Sequence, residues 1–245
     1  FSAQVKGAID SLAESGMKPA ALLFDTVFAT EGMPRVPAQF IQDAVAQTRA
    51  AGGFYIADEV QPGFGRTGEN MWGYQRYSIV PDLVTLGKPM GNGHPIAGVV
   101  SRASLTEDFG EKSSYFNTFG GNPVASAVGL AVLQVIEREG LQKNARKVGL
   151  YLQDGLAKLA DKHEIIGDVK GYGLFLGAEF VTDRESKTPA TEATRTVVNG
   201  MRERGVLISQ TGRAGNVLKI RPPMPFSTEN ADLLLESLDD CLAAL

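Results

Sequence analysis

The chain has 245 residues, enough to bury one large core or two modest ones. Hydrophobic residues make up 43 % and charged residues 21 %, with a formal charge of −4, a globular composition with no basic excess, which argues against a nucleic-acid partner. The single cysteine, Cys241, excludes an intrachain disulfide and fits a reducing, cytoplasmic setting. The two histidines, His94 and His163, lack ligand spacing, so no metal is expected, and no run approaches the ~18 apolar residues of a membrane span.

Val5, Ile9 and Leu12 recur at helical spacing, and Gly16 can stop that helix. Ala20 to Phe24 is a short apolar run, read as a buried strand. Pro37 opens a second helix with Phe40, Ile41, Ala44 and Val45 on one face, ended by Gly52 and Gly53. Strands are expected at Phe54 to Ala57, Asp82 to Leu86 and Ile96 to Val100. Helices alternating with short apolar strands predict an α/β fold with a mostly parallel sheet, whose ligands sit beyond the carboxyl ends of the strands. Asp25, Asp58 and Lys88 all fall at such ends. From Pro123 the chain turns helical, with amphipathic stretches from Val124 to Arg138 and Leu141 to His163 separated by Gly140. A β-rich section is expected from Gly171 to Phe180. A helix follows at about Thr191 to Arg204, then strands near Val206 to Ser209 and Val217 to Arg221, and a last helix capped by Ser227 or Thr228.

Lys88 follows an apolar strand and opens the glycine-rich loop Gly87-Lys88-Pro89-Met90-Gly91-Asn92-Gly93. A strand-end lysine with an acid, Asp58, at the end of an earlier strand is what pyridoxal 5'-phosphate (PLP) chemistry needs. The amine forms a Schiff base with the cofactor aldehyde, and the acid keeps the pyridine nitrogen protonated. A lysine beside glycines is by itself weak evidence, since most are solvated turn residues. The neighbouring segments are more specific. The stretch from Ala57 through Asp58-Glu59-Val60-Gln61 to Arg66-Thr67-Gly68, the Pro81-Asp82 that leads to Lys88, and Phe116-Asn117-Thr118-Phe119-Gly120-Gly121-Asn122-Pro123 resemble, in order and spacing, the class III aminotransferases, PLP enzymes of fold type I. The resemblance runs over essentially the whole chain.

The resemblance implies a division into residues 1–139, the C-terminal part of the large PLP-binding domain, and 140–245, a small α+β domain. It also implies a long preceding segment carrying a glycine-rich phosphate loop and an aromatic residue that stacks on the ring; the chain starts at Phe1, and neither feature is found in it. By the same resemblance Lys88 is the catalytic, cofactor-bearing lysine and Asp58 pairs the ring nitrogen. Val60 packs under the ring, Gln61 bonds its hydroxyl, and Glu59 is structural. Thr118 reaches the cofactor phosphate of a neighbouring subunit, which implies a homodimer with shared sites. A lysine in this role is expected to be buried, or placed beside a cation, so that it can lose its proton.

Amine-donor aminotransferases of the family usually place an Arg in an Arg-hydrophobic-x-Pro-Pro segment, where it pairs a substrate carboxylate or a Glu in the large domain. Here those positions hold Lys219, in Val217-Leu218-Lys219-Ile220-Arg221-Pro222-Pro223, and Asp25. Lysine does not grip a carboxylate in a planar fork, yet serves phosphate as a point charge. Arg221, two residues on along a strand, shares its face. Asp25, Lys219 and Arg221 are therefore the candidate substrate-binding residues. The pattern is closest to a subgroup that includes phospho-lyases acting on phosphoethanolamine and phosphohydroxylysine. The reading is amino transfer between an amino compound and a 2-oxo acid. The alternatives are PLP-dependent elimination of phosphate from a phosphoamine, or a non-catalytic PLP-fold module of a larger chain.

Overall fold

The computed structural model describes residues 2–245; Phe1, where the first expected domain begins, lies outside them. The chain divides into two compact units. The first holds residues 2–26, Val36–Phe64 and Trp72–Ile136; the second holds Val27–Arg35, Gly65–Met71 and Glu137–Leu245.

In the first unit, α1 (Ser2–Glu14) leads to β1 (Ala21–Asp25), α2 (Ala38–Ala50) and β2 (Phe54–Asp58). A 3-10 turn at Gly73–Tyr77 precedes β3 (Leu83–Leu86), and a second at Lys88–Gly91 precedes β4 (Gly98–Ser101); α3 (Ala103–Lys112) and α4 (Pro123–Arg138) complete the run. The sheet order is β1-β2-β3-β4, with the first three strands parallel and β4 antiparallel at the edge. α2 buries Ile41, Ala44, Val45 and Thr48, one stripe at helical period. Asp82 fixes the start of β3: it accepts from the Tyr55 amide at 2.8 Å and pairs with Arg49 at 3.1 Å and Arg102 at 2.6 Å. Such a carboxylate, 5 % exposed, needs these partners. Asn122 caps α4 by accepting from the Ala125 amide at 2.9 Å. α4 then buries Ala125 and Gly129, one turn apart, with Gly129 beside the Ile96 side chain.

The second unit contains α5 (Leu141–Lys162), β5 (Ile166–Tyr172), β6 (Phe175–Asp183), the two-residue β7 (Thr188–Pro189), α6 (Thr191–Glu203), β8 (Ser209–Thr211), β9 (Val217–Ile220) and α7 (Thr228–Ala243). Its antiparallel sheet runs β5-β6-β9-β8, with β7 added to β6. Leu176, Ala178 and Phe180 on β6 and Leu218 and Ile220 on β9 join α5, α6 and α7 in one core. The alternate residues Phe175 and Val217 face the other way, into a cluster with Val27, Ala29 and Met33. Gly149 lets α5 approach the β5–β6 turn: a Cβ there would lie 2.3 Å from the Gly173 carbonyl oxygen.

Three expectations are corrected. The β-rich section begins at Ile166, not Gly171, because β5 pairs with β6 along its length. The strand near Val206 to Ser209 is instead Ser209–Thr211, set by pairing of Ser209 with Lys219. α3 was not anticipated, and it buries none of its residues. The last helix is capped by Ser227, whose hydroxyl accepts from the Asn230 amide at 3.2 Å.

Candidate active site

The register of the parallel strands brings the first candidates together. Asp25 stands opposite Asp58 on the neighbouring strand, and Asp58 stands opposite Thr85 on the next. Lys88 follows three residues later, in the 3-10 turn after β3. All three lie at carboxyl ends, as the strand pattern predicts.

Asp58 Oδ1 accepts from the Val60 amide at 3.0 Å and from Thr85 Oγ1 at 3.1 Å. Its Oδ2 accepts from no described residue. Val60 methyls lie 3.6 Å and 3.8 Å from where a side chain on Gly87 would begin, so Val60 packs beside the residue preceding Lys88. Gln61 Nε2 donates to Asp25 Oδ2 at 3.3 Å, linking two candidates assigned to different roles. Lys88 is exposed rather than buried, although Gly87 and Gly91 on either side of it are buried, and its backbone φ is 26°. No described residue pairs with its ammonium group.

Glu59 is fully buried and far from idle. Its carboxylate accepts from Gly73 N at 2.7 Å, Tyr74 N at 2.8 Å and Thr26 Oγ1 at 3.1 Å. Burial pushes its pKa up to about 7, against the pull of those three donors; nearby Asp25 raises it further.

Thr118 sits in an exposed loop. That loop is shaped by Asn117, whose Oδ1 accepts from the amides of Phe119 at 3.2 Å and Gly120 at 2.9 Å. The Thr118 hydroxyl bonds to no described residue.

In the second unit, Lys219 and Arg221 border a cavity of about 500 Å³ that Ser209, Asn230 and Leu233 also line. Lys219 Nζ lies 5.5 Å from the centre of the Phe175 ring, a cation–π distance. A further cation, Arg66, was given no role on sequence grounds. Its Nη1 donates to the carbonyls of Leu174 at 3.1 Å and Pro222 at 2.8 Å. Burial, helped by the charge of Arg221, lowers its pKa to about 10. Among the described residues no carboxylate pairs with Arg66 or Arg221. The only sequence signal for Arg66 was its place in Gly65-Arg66-Thr67-Gly68.

Known proteins resemble this chain over nearly all of its length. A phospholyase from Arthrobacter in complex with phosphoethanolamine superposes with a TM-score of 0.97 at 48 % identity, over 100 % of this chain and 58 % of that one. The Arabidopsis thaliana protein named alanine–glyoxylate aminotransferase 2 homolog 2, mitochondrial, is 47 % identical over 90 % of this chain and 46 % of its own length. The Caenorhabditis elegans ethanolamine-phosphate phospho-lyase homolog 1 is 36 % identical over 100 % of this chain and 53 % of its own length. The chain thus spans about half the length of the curated relatives it matches. Its architecture is that of the fold-type-I PLP transferases, and PLP is the cofactor that goes with it. Residues 3–242 match the family described as Aminotransferase class-III, and the chain belongs to that family.

Proposed function

We propose that this chain supplies the reactive lysine and the ring-binding residues of a PLP-dependent aminotransferase that moves an amino group between an amino compound and a 2-oxo acid. The observation that carries the reading is a pair of unsatisfied groups at neighbouring strand ends, the Lys88 amine and Asp58 Oδ2. The donor set fits the cofactor: a primary amine for an aldehyde, and a carboxylate oxygen for a protonated ring nitrogen. PLP, when bound, supplies an aldehyde that condenses with amines and a ring that takes up the electron pair left when a substrate C–H bond breaks. Lys88 would hold it, then accept a proton at Nζ from the substrate carbon and return it elsewhere. Asp58 Oδ2 would accept the ring N–H, with Oδ1 already held by Val60 and Thr85. Val60 would pack against the ring face. Gln61 would donate one amide hydrogen to the ring oxygen and keep the other on Asp25. Thr118 would serve the cofactor phosphate of a partner copy.

Borohydride reduction of the PLP-loaded protein followed by peptide mapping tests this. The adduct is expected on Lys88, and Lys88→Ala should lose turnover; an adduct on another lysine, such as Lys112, would contradict the assignment.

A second reading, elimination of phosphate from a phosphoamine, is favoured by the cations of the second unit. Lys219 on β9 and Arg221 just beyond its end line one cavity, and Arg66 lies near Arg221 with no acid to neutralise either arginine among the described residues. Together with the phosphoethanolamine held by the Arthrobacter relative, this supports an anionic amine as substrate. Phosphoethanolamine alone should release inorganic phosphate if elimination is the reaction; if transfer is, pyridoxamine phosphate should accumulate until a 2-oxo acid is added. Lys219→Arg should shift preference toward carboxylate donors. No helix among the described residues is long and apolar enough to cross a membrane. We place the protein in the cytoplasm on its single, buried thiol, a reading that cell fractionation checks against the mitochondrial name of the Arabidopsis relative.

A further inference from the structure

We infer that Glu59 is a positioning residue for the cofactor site: its buried carboxylate ties the end of β1 and the Gly73–Tyr74 turn to the residue between Asp58 and Val60, and so fixes where Asp58 and Gln61 point. The inference rests on the PLP reading of Lys88 and Asp58.

Every polar group of Glu59 is engaged. Its amide donates to the Thr85 carbonyl at 3.0 Å, and its own carbonyl accepts from Gly63 at 3.1 Å. Its carboxylate takes Thr26 Oγ1 and the amides of Gly73 and Tyr74. One residue therefore touches the ends of β1, β2 and β3, the parallel strands that end on Asp25, on Asp58 and two residues before Lys88. The carboxylates of the adjacent acids Asp58 and Glu59 share no partner. Asp58 keeps Oδ2 open, and Glu59 spends both oxygens on the protein. Division of labour of this kind is expected when one acid meets a ligand and the next one holds it in place.

The clasp also explains Gly73. A Cβ there would lie 2.2 Å from Thr26 Oγ1 and 2.9 Å from Pro62 Cβ. Only glycine lets the 73–74 amides come close enough to reach Glu59. Tyr77 closes the same loop, its hydroxyl donating to the Thr26 carbonyl at 2.7 Å. Thr26 in turn follows Asp25, the acceptor for Gln61. Loosening Glu59 therefore frees the backbone under Asp58 and the acid that orients Gln61 together. Small displacements of groups that hold a reacting molecule are costly, because alignment supplies much of the rate.

The test uses the full-length protein. Glu59→Gln keeps the shape but turns an amide N–H toward a backbone N–H. Thr26→Ser keeps the hydroxyl and Thr26→Val removes it. Hydrogen exchange on cofactor-free protein should rise in Glu59→Gln over both 58–63 and 73–77. The dissociation constant for PLP should increase roughly tenfold, the loss of a hydrogen bond to a charged group, and the visible band of the bound cofactor should shift. Thr26→Ser should match wild type in both readouts, and Thr26→Val should move in the direction of Glu59→Gln. If Glu59→Gln does not fold, Thr26→Val carries the comparison. Exchange altered only over 73–77, with unchanged PLP affinity and band, overturns the positioning role alone. A wild-type protein that takes up no PLP overturns the functional reading and this role with it.

Discussion

At the scale of single residues, burial and hydrogen bonding pull Glu59 in opposite directions, and burial wins. Its folded pKa of about 7 stands above the ordinary 4.5. Between those values the folded state holds more protons than the unfolded one, so stability falls as pH rises. The contribution is complete below about pH 4.5 and gone once pH has passed 7, a difference of about 3 kcal/mol. The titratable groups around it are Asp25 on β1, Tyr55 on β2 and Tyr74 in the 3-10 turn. Asp239, held low by hydrogen bonds from His163 and Lys162, acts in a separate, more acid window and with the opposite sign. Thermal unfolding from pH 4.5 to 8 should therefore slope downward in wild type and less steeply in Glu59→Gln; equal slopes would place the titration elsewhere. Lys88 and Asp58 were legible in sequence because an apolar strand followed by a polar residue marks a carboxyl end. The partners of Glu59 and Arg66 were not, because they lie far along the chain: Gly73 is 14 residues from Glu59 and Pro222 is 156 from Arg66.

At the scale of elements, α5 could be read almost to the residue, since Val148, Leu152, Leu156 and Leu159 trace one buried stripe. The short strands of the second unit were placed less well. Val206 to Ile208 looks like a strand by composition, yet the ladder to β9 starts at Ser209, where pairing rather than apolarity decides. Gly149 shows the same limit inside a helix. Propensity alone makes Gly149→Ala favourable by about 1 kcal/mol. The structure reverses that sign, because the new methyl would meet the Gly173 carbonyl oxygen at 2.3 Å, and backbone yields less readily than a side chain. We expect a net loss of about 1–3 kcal/mol, seen as a lower urea midpoint with unchanged slope. A stabilised variant would show that the β5–β6 turn moves aside freely.

At the scale of the whole molecule, the loop that carries Thr118 and the start of α4 present an apolar surface. Tyr115, Phe116, Phe119 and Val124 are 73 %, 85 %, 78 % and 65 % exposed. Exposed aromatic residues grouped in this way are suited to being covered by further protein. The proposed second copy would cover it and would also give Thr118 a task, since its hydroxyl meets no described residue. The proposed homodimer thus joins two otherwise unconnected observations, the exposed ring cluster and the idle hydroxyl. Replacing Phe116 and Phe119 together by Asp would place two charges at the centre of such an interface, where unpaired charge costs several kcal/mol. Sedimentation of the full-length protein should show a dimer in wild type and a monomer in the double variant. PLP affinity should fall in step, while a Thr118→Val variant should remain dimeric and lose only affinity. A wild-type monomer with full activity would refute shared sites. A dimer untouched by the two aspartates would move the interface to another face.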